Sequence, residues 1–490
     1  MELKNYILIG LIGFGMLISS CEKFLEQAPD MRTKIDDVDK VAQLVASAYP
    51  GYNYLAMSET VSDNVIDKGP AVGNNDDPYL SYYNWEDVVG TGNNTPTQYW
   101  NGVYAAIASA NQALEAIEEG EFSNNVNAYK GEALVARAYN HFMLAVFFAK
   151  PFIPNGDNNS PGIPYVEKPE TVALAQYSRG TVQETYDKIK KDLEEGLPLL
   201  QGGYWKVPKY HFNFSSANAF AARFYLFTGE YDKALAAANN VFQNGDFSGK
   251  LRPVTTTIQS YSLDQQMIEY TKADKDYNLL LAETYSVYQR NYNSRYAYGQ
   301  RKYRELFNAP VFGNTTIYSR GVSYSSGQHY TIYMYREYFH YTNVQAGIGF
   351  PYIMQPLLTS DEALINRAEA YTHLGDFARA LTDINQFLSV RVSGFNLSNH
   401  GLTIDRAKES FGTEDPKEAI IKAILALKQR AFHSEGIRWM DIVRHRLPVE
   451  HIDIAPDDTE TVRVLEPNDL RRVFQIPSEA SLAGVEQNPR

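Results

Sequence analysis

Cysteine is all but missing from this chain: Cys21 is the single one in 490 residues. No intramolecular disulfide can form, and a zinc–thiolate centre is excluded. Positive charge is in deficit as well, with 45 Lys and Arg against 58 Asp and Glu and a formal net charge of −13. Nucleic acid is therefore not an expected partner, because phosphate binding needs a basic face. After Ile18 the chain lacks any apolar run approaching the roughly 20 residues that span a bilayer. It also lacks the His-Glu-x-x-His pair, the Gly-x-Ser-x-Gly elbow, and the Walker and dinucleotide glycine patterns. The 9 histidines are dispersed and suggest no metal site. Asp76-Asp77 and Asp457-Asp458 read as solvated loop charges. Glycoside hydrolysis stays a distant alternative, because only the spatial separation of a carboxylate pair would diagnose it. No catalytic residue and no cofactor are expected, and a structural calcium among the Asp- and Asn-rich loops is left open.

What is present begins at the amino terminus. Lys4 precedes an apolar run, Tyr6 to Ile18, of roughly 13 residues, the size of a secretory signal core and short for a permanent span. Leu17-Ile-Ser-Ser-Cys21 then looks like a bacterial lipobox. On that reading residues 1–20 are a signal peptide that is removed, and Cys21 is the lipidation site that anchors residues 21–490 to a membrane. Two or more acyl chains anchor stably where one does not. The alternative is an ordinary cleaved signal followed by an incidental cysteine.

The mature chain reads as mainly α: tetratricopeptide-like helix hairpins in one globular body, with long irregular loops and little β. Helix pairs are expected at about 97–150, 181–244 and 361–445. Two of them share a pattern. A helix ends at Gly229 or Gly375, an aromatic follows (Tyr231 or Phe377), and Ala-Leu opens the next helix (Ala234-Leu235 or Ala380-Leu381). Glycine supplies the left-handed cap, and the aromatic is expected to pack back into the hairpin. Between the helical blocks lie loop-rich stretches, about 58–95 and 245–356, where loops of such length are usually functional. Within the second, 331–341 alternates enough to include a strand.

Those stretches concentrate the unusual component of the composition, 36 tyrosines. Tyrosine offers a flat apolar face and a hydroxyl with little rotamer entropy to lose. Tyr82, Tyr83 and Trp85, with Asp63, Asn64, Asn84 and Asn94 nearby, combine stacking faces with the planar polar groups that meet sugar hydroxyls. The same groups suit an extended peptide, and the plainer alternative is that these rings pack loop against helix.

Several segments together resemble the SusD/RagB family of nutrient-binding outer-membrane lipoproteins. Cys21-Glu-Lys-Phe-Leu-Glu-Gln-Ala-Pro29 is similar to its start. Trp85, Trp100-Asn-Gly-Val-Tyr104, Ala110-Asn111 and Glu132-Ala-Leu-Val-Ala-Arg137 resemble its first helical blocks. Lys428-Gln-Arg430 through Glu435-Gly436-Ile-Arg438 and Asp441-Ile-Val-Arg444, then Gln475-Ile-Pro477 and Gln487-Asn-Pro489, resemble its closing elements. Glu435, Arg438, Asp441 and Arg444 sit at helical spacings and read as a structural ion-pair network rather than an active site.

The resemblance implies a non-enzymatic body lying as a lid over a SusC-like TonB-dependent transporter, on the outer face of the outer membrane. It implies an oligosaccharide ligand, or in some members a peptide. A scaffold with no small ligand is a third possibility. The family's binding regions correspond here to Asp63 and Asn64 with Tyr79, Tyr82, Tyr83 and Trp85, and to the Tyr-rich part of 245–356. From that second region Tyr292, Tyr296 and Arg320 are chosen by chemistry and location.

Overall fold

The computed structural model describes residues 35–490 apart from 36, 123–125, 173–174, 319–323 and 333. The signal peptide, Cys21 and Arg320 lie outside the described residues. The amino-terminal helices are α1 (Val38–Ala46), α2 (Leu55–Thr60), α3 (Tyr79–Asn84), α4 (Pro96–Glu119) and α5 (Val126–Phe148). Thr95 caps α4 by accepting the Gln98 N–H, and Pro96 takes the first helical position, where its missing N–H costs nothing. Every residue of α5 from Gly131 onward is buried, so this helix is the centre of the body rather than an amphipathic surface element. Its small residues permit close packing. A Cβ on Gly131 would stand 2.8 Å from the carbonyl oxygen of Gly196, at the end of α6 (Val182–Gly196).

The two glycine-hinged hairpins are α7 (Phe214–Thr228) with α8 (Tyr231–Asn240), and α9 (Ser360–His373) with α10 (Phe377–Ser389). Gly229 and Gly375 adopt φ of 74° and 82°, as a left-handed helix end requires. One detail differs from expectation. Tyr231 stacks on His373 of the other hairpin, rings 3.9 Å apart, instead of folding back into its own. The aromatic therefore joins consecutive hairpins. Buried guanidinium–carboxylate forks fix the same interfaces: Arg137–Asp192 between α5 and α6, Arg223–Glu362 between α7 and α9, and Arg367–Asp383 between α9 and α10. Glu132, fully buried on α5, accepts from Tyr49, Trp205 and His211.

Helices α11 (Pro416–Ala431) and α12 (Ile437–Arg444) close the helical body. The charges around α12 form the structural network expected of them, but mostly between elements. Glu435 pairs with Arg252, Arg438 with Asp63, Asp441 with Lys428, and Arg444 with Glu369, while Asp441–Arg444 alone lies within the helix. Asn488 pins the carboxyl terminus. Its amide donates to the carbonyls of Phe148 and Phe474, and its side-chain oxygen accepts from Arg179.

Region 245–356 contains more regular structure than irregular loops. Strand β2 (Asn278–Tyr285) pairs antiparallel with β7 (Ile348–Thr359), which pairs with β6 (Tyr338–Asn343), giving the order β2-β7-β6. Short ribbons complete the β structure: β1 (Ile66–Asp67) with β3 (Tyr296–Ala297), β4 (Tyr324–Ser326) with β5 (His329–Thr331), and β8 (Val449–Ile454) with β9 (Glu460–Leu465). The β1–β3 pairing brings the 58–95 stretch against the central region. Among the described residues no helix is long and apolar enough to cross a membrane.

Candidate functional site

Most residues singled out from the sequence lie inside the protein. Trp85 is 4% exposed, donates its indole N–H to the Val61 carbonyl at 3.0 Å and stacks on His451 at 4.4 Å. Tyr83 is fully buried between Tyr296 at 4.5 Å and His451 at 4.1 Å, and its hydroxyl donates to the Ile452 carbonyl. Tyr82 donates to the Asn94 carbonyl, and Tyr79 accepts from the Asn94 amide. Asn64 is buried and donates to Glu59. Asp63 is forked by Arg438 at 2.8 and 2.7 Å. Burial alone would raise its pKa, and the guanidinium outweighs that and holds it below the usual carboxylate range.

The expectation that these aromatics present faces to a ligand is therefore corrected for Tyr82, Tyr83 and Trp85 of the first stretch and for Tyr296 of the second. An amphipathic ring has as much apolar surface to bury as to offer, and here protein groups fill both roles. Asn64 and Tyr292 do meet, lining a small cavity with Glu59, Gln289, Tyr298 and His433. Its volume is about 30 Å³, room for about one or two waters and too small for a sugar ring. Among the described residues no group of three or more His, Cys, Asp or Glu could hold a metal ion.

A row of exposed aromatics lies elsewhere, on the β2-β7-β6 sheet. In antiparallel register Tyr285 faces Tyr352, Tyr338 faces Tyr352, and His340 faces Phe350. Residues directly opposite share a face, so these side chains, with Glu283, stand on one side of the sheet. Their rings are near neighbours: Tyr285–Phe350 5.9 Å, Tyr285–Tyr352 6.0 Å and Tyr338–Tyr352 6.3 Å. Tyr52, just ahead of α2, extends the row, 5.9 Å from Tyr285. Phe350 is 46% and Tyr338 38% exposed. Contiguous exposed aromatics of this kind mark binding surfaces.

Polar groups rim this platform. Tyr338 donates to the Glu283 carboxylate, and burial followed by that carboxylate pushes its phenol pKa up. Arg290 forks onto Glu337, with Nε 3.0 Å from one oxygen. The Asn93 side chain is within hydrogen-bonding reach of the Tyr285 phenol. Flat faces beside oriented donors and acceptors are what a sugar ring needs: C–H faces to stack and hydroxyls to bond. Tyr285 and Tyr338 fall within the tyrosine-rich region 245–356 but are not among the residues chosen from it by chemistry and location. The available signal was period-two spacing, Tyr338-x-His340 and Phe350-x-Tyr352-x-Met354.

Residues 23–226 match the family model SusD-like_3, described as starch-binding and associating with the outer membrane. A curated relative, SusD-like protein P2 of Formosa agariphila, is 30% identical over 175 residues, 34% of this chain and 31% of its own length. The alignment thus spans about a third of that relative. Among solved structures, a SusD superfamily protein of Bacteroides thetaiotaomicron superposes with a TM-score of 0.65 at 19% identity, covering 92% of this chain and 99% of its own. A laminarin-binding SusD-like protein superposes at 0.56 and 15% identity, covering 93% and 99%. Over 92% of the chain the fold is like that of the first of these structures. Residues 23–226 are thus similar to the SusD-like family, in line with the motifs read from the sequence.

Proposed function

We propose that this protein captures oligosaccharide on the aromatic face of the β2-β7-β6 sheet, without catalysis, and passes it to a SusC-like TonB-dependent transporter. A lipid on Cys21 would hold it at the outer membrane, confining it close to that partner and raising its effective concentration there. The observation that carries the reading is the row of partly exposed rings Tyr52, Tyr285, Tyr352, Phe350 and Tyr338 beside Glu283, Asn93 and Arg290. The family description and the laminarin-binding neighbour support a glycan as the ligand.

An oligopeptide has one observation in its favour. β6 is an edge strand, and such an edge can take an added strand through its backbone. Titration of the purified protein against glycan and peptide panels separates the two. Glycan binding that weakens in Phe350→Ala and Tyr338→Ala supports the sugar reading. Peptide binding with no glycan binding replaces it.

A further inference from the structure

Resting on the platform reading, we infer that this face selects uncharged saccharides and discriminates against acidic ones. The chain is 21% charged, yet from Tyr338 to Ser360, the stretch that supplies two of the three strands, there is no Asp, Glu, Lys or Arg. The third strand adds Glu283, a carboxylate engaged by the Tyr338 phenol. Arg290 is already forked by Glu337, so that pair contributes no net charge. Among the described residues the basic groups of the strands and their flanks are His340, edge-on to Tyr352, and Arg336, exposed next to Glu337, and Lys209 lies in the turn Pro208–Tyr210 packed against β2.

A uronate or sulfated polysaccharide carries an anion on every one or two sugars. Bound along this row it would lose water from several anions, against few cations not already paired among the described residues. It would also approach Glu283 and a molecule of net charge −13. A neutral glycan meets none of these costs. Its hydroxyls can donate to Glu283, and its C–H faces stack on Tyr285, Tyr352 and Phe350.

The test is isothermal titration of the purified protein with neutral polysaccharides (β-glucan, α-glucan, mannan) and acidic ones (alginate, a sulfated galactan), at low and high salt. The inference predicts binding to at least one neutral glycan, unchanged by salt, and at least roughly tenfold weaker binding to every acidic one, a difference of about 1.4 kcal/mol. It also predicts that Glu283→Lys improves acidic binding while the protein melts as before. Tight binding of an acidic polysaccharide by the unaltered protein, weakening as salt rises, overturns the charge selectivity. If Phe350→Ala and Tyr338→Ala abolish that binding, the platform itself stands. Glycan binding of either kind that ignores both substitutions overturns the platform reading.

Discussion

The rings of Tyr83 and His451 lie face to face, centroids 4.1 Å apart and planes 5° from parallel. Tyr296 covers the other side of Tyr83, and Trp85 stacks on His451, so the four rings form a column. The column ties the first loop-rich stretch to β3 and β8. It predicts that Trp85→Ala and Tyr83→Ala cost stability, on the order of 3–5 kcal/mol for an aromatic removed from a core. Trp85→Ala also strips a donor from the buried Val61 carbonyl. Chemical denaturation should show a lowered midpoint for both variants. Native midpoints with weakened glycan binding would place these rings at a ligand instead.

Helix packing rests on buried forks, among them Arg223–Glu362 at 2.7 and 2.6 Å. Glu362→Ala leaves a buried guanidinium unpaired and should cost about 3–5 kcal/mol. The double change Arg223→Met with Glu362→Leu should recover most of that loss. A double-mutant cycle by thermal melting checks the coupling, and simple additivity would contradict it.

Stability should fall from neutral toward acid pH through three buried histidines. Burial pushes His141 and His433 down to about 3 and His451 down to about 4. At His141 the geometry agrees, because Nδ1 bonds the Arg137 carbonyl and Nε2 accepts the Val166 N–H, a bond that protonation would break. A depressed folded pKa means stability held above the unfolded value near 6.5 is lost as pH falls toward 3. Each histidine contributes a slope of about 1.4 kcal/mol per pH unit inside that window. Glu59, pushed up to about 7 by burial, acts oppositely, favouring the folded state as pH falls from 7 toward its unfolded value near 4.5. Three groups against one leave a net loss. His141→Gln should flatten the melting-temperature profile between pH 6.5 and pH 5, and an unchanged profile would contradict the assignment.

The two hairpin glycines should differ in tolerance. Both need positive φ, which costs an ordinary residue about 1–2 kcal/mol. At Gly375 a Cβ meets nothing within 4 Å, whereas at Gly229 it stands 2.7 Å from Pro154 Cβ. Gly375→Ala should therefore cost only the conformational penalty, and Gly229→Ala clearly more, as read from paired melts.

The helical body was legible because its cues are local. Gly229 with Tyr231, and Gly375 with Phe377, mark hairpins within a few residues, whereas of the charges from Glu435 to Arg444 spacing names only the Asp441–Arg444 pair, the other partners lying on other elements. The ligand face was not, because its strands lie far apart in sequence. β2 reads as an unbroken apolar run, Asn278-Leu-Leu-Leu-Ala282, and meets its partner β7 only after a long intervening segment. Nothing local says that Tyr285 and Tyr352 share a face. Nor does composition tell a buried ring such as Trp85 from an exposed one such as Phe350, since both sit among Asn, Gly and Tyr.

The central claim is tested most directly by calorimetric titration of the double variant Tyr338→Ala with Phe350→Ala against a glycan that the unaltered protein binds. The account predicts at least roughly tenfold weaker binding, from two lost stacking faces worth about 0.5–1.5 kcal/mol each beyond their buried area, with an unchanged melting temperature. Full affinity in a folded double variant would contradict it and move the ligand away from the β2-β7-β6 face.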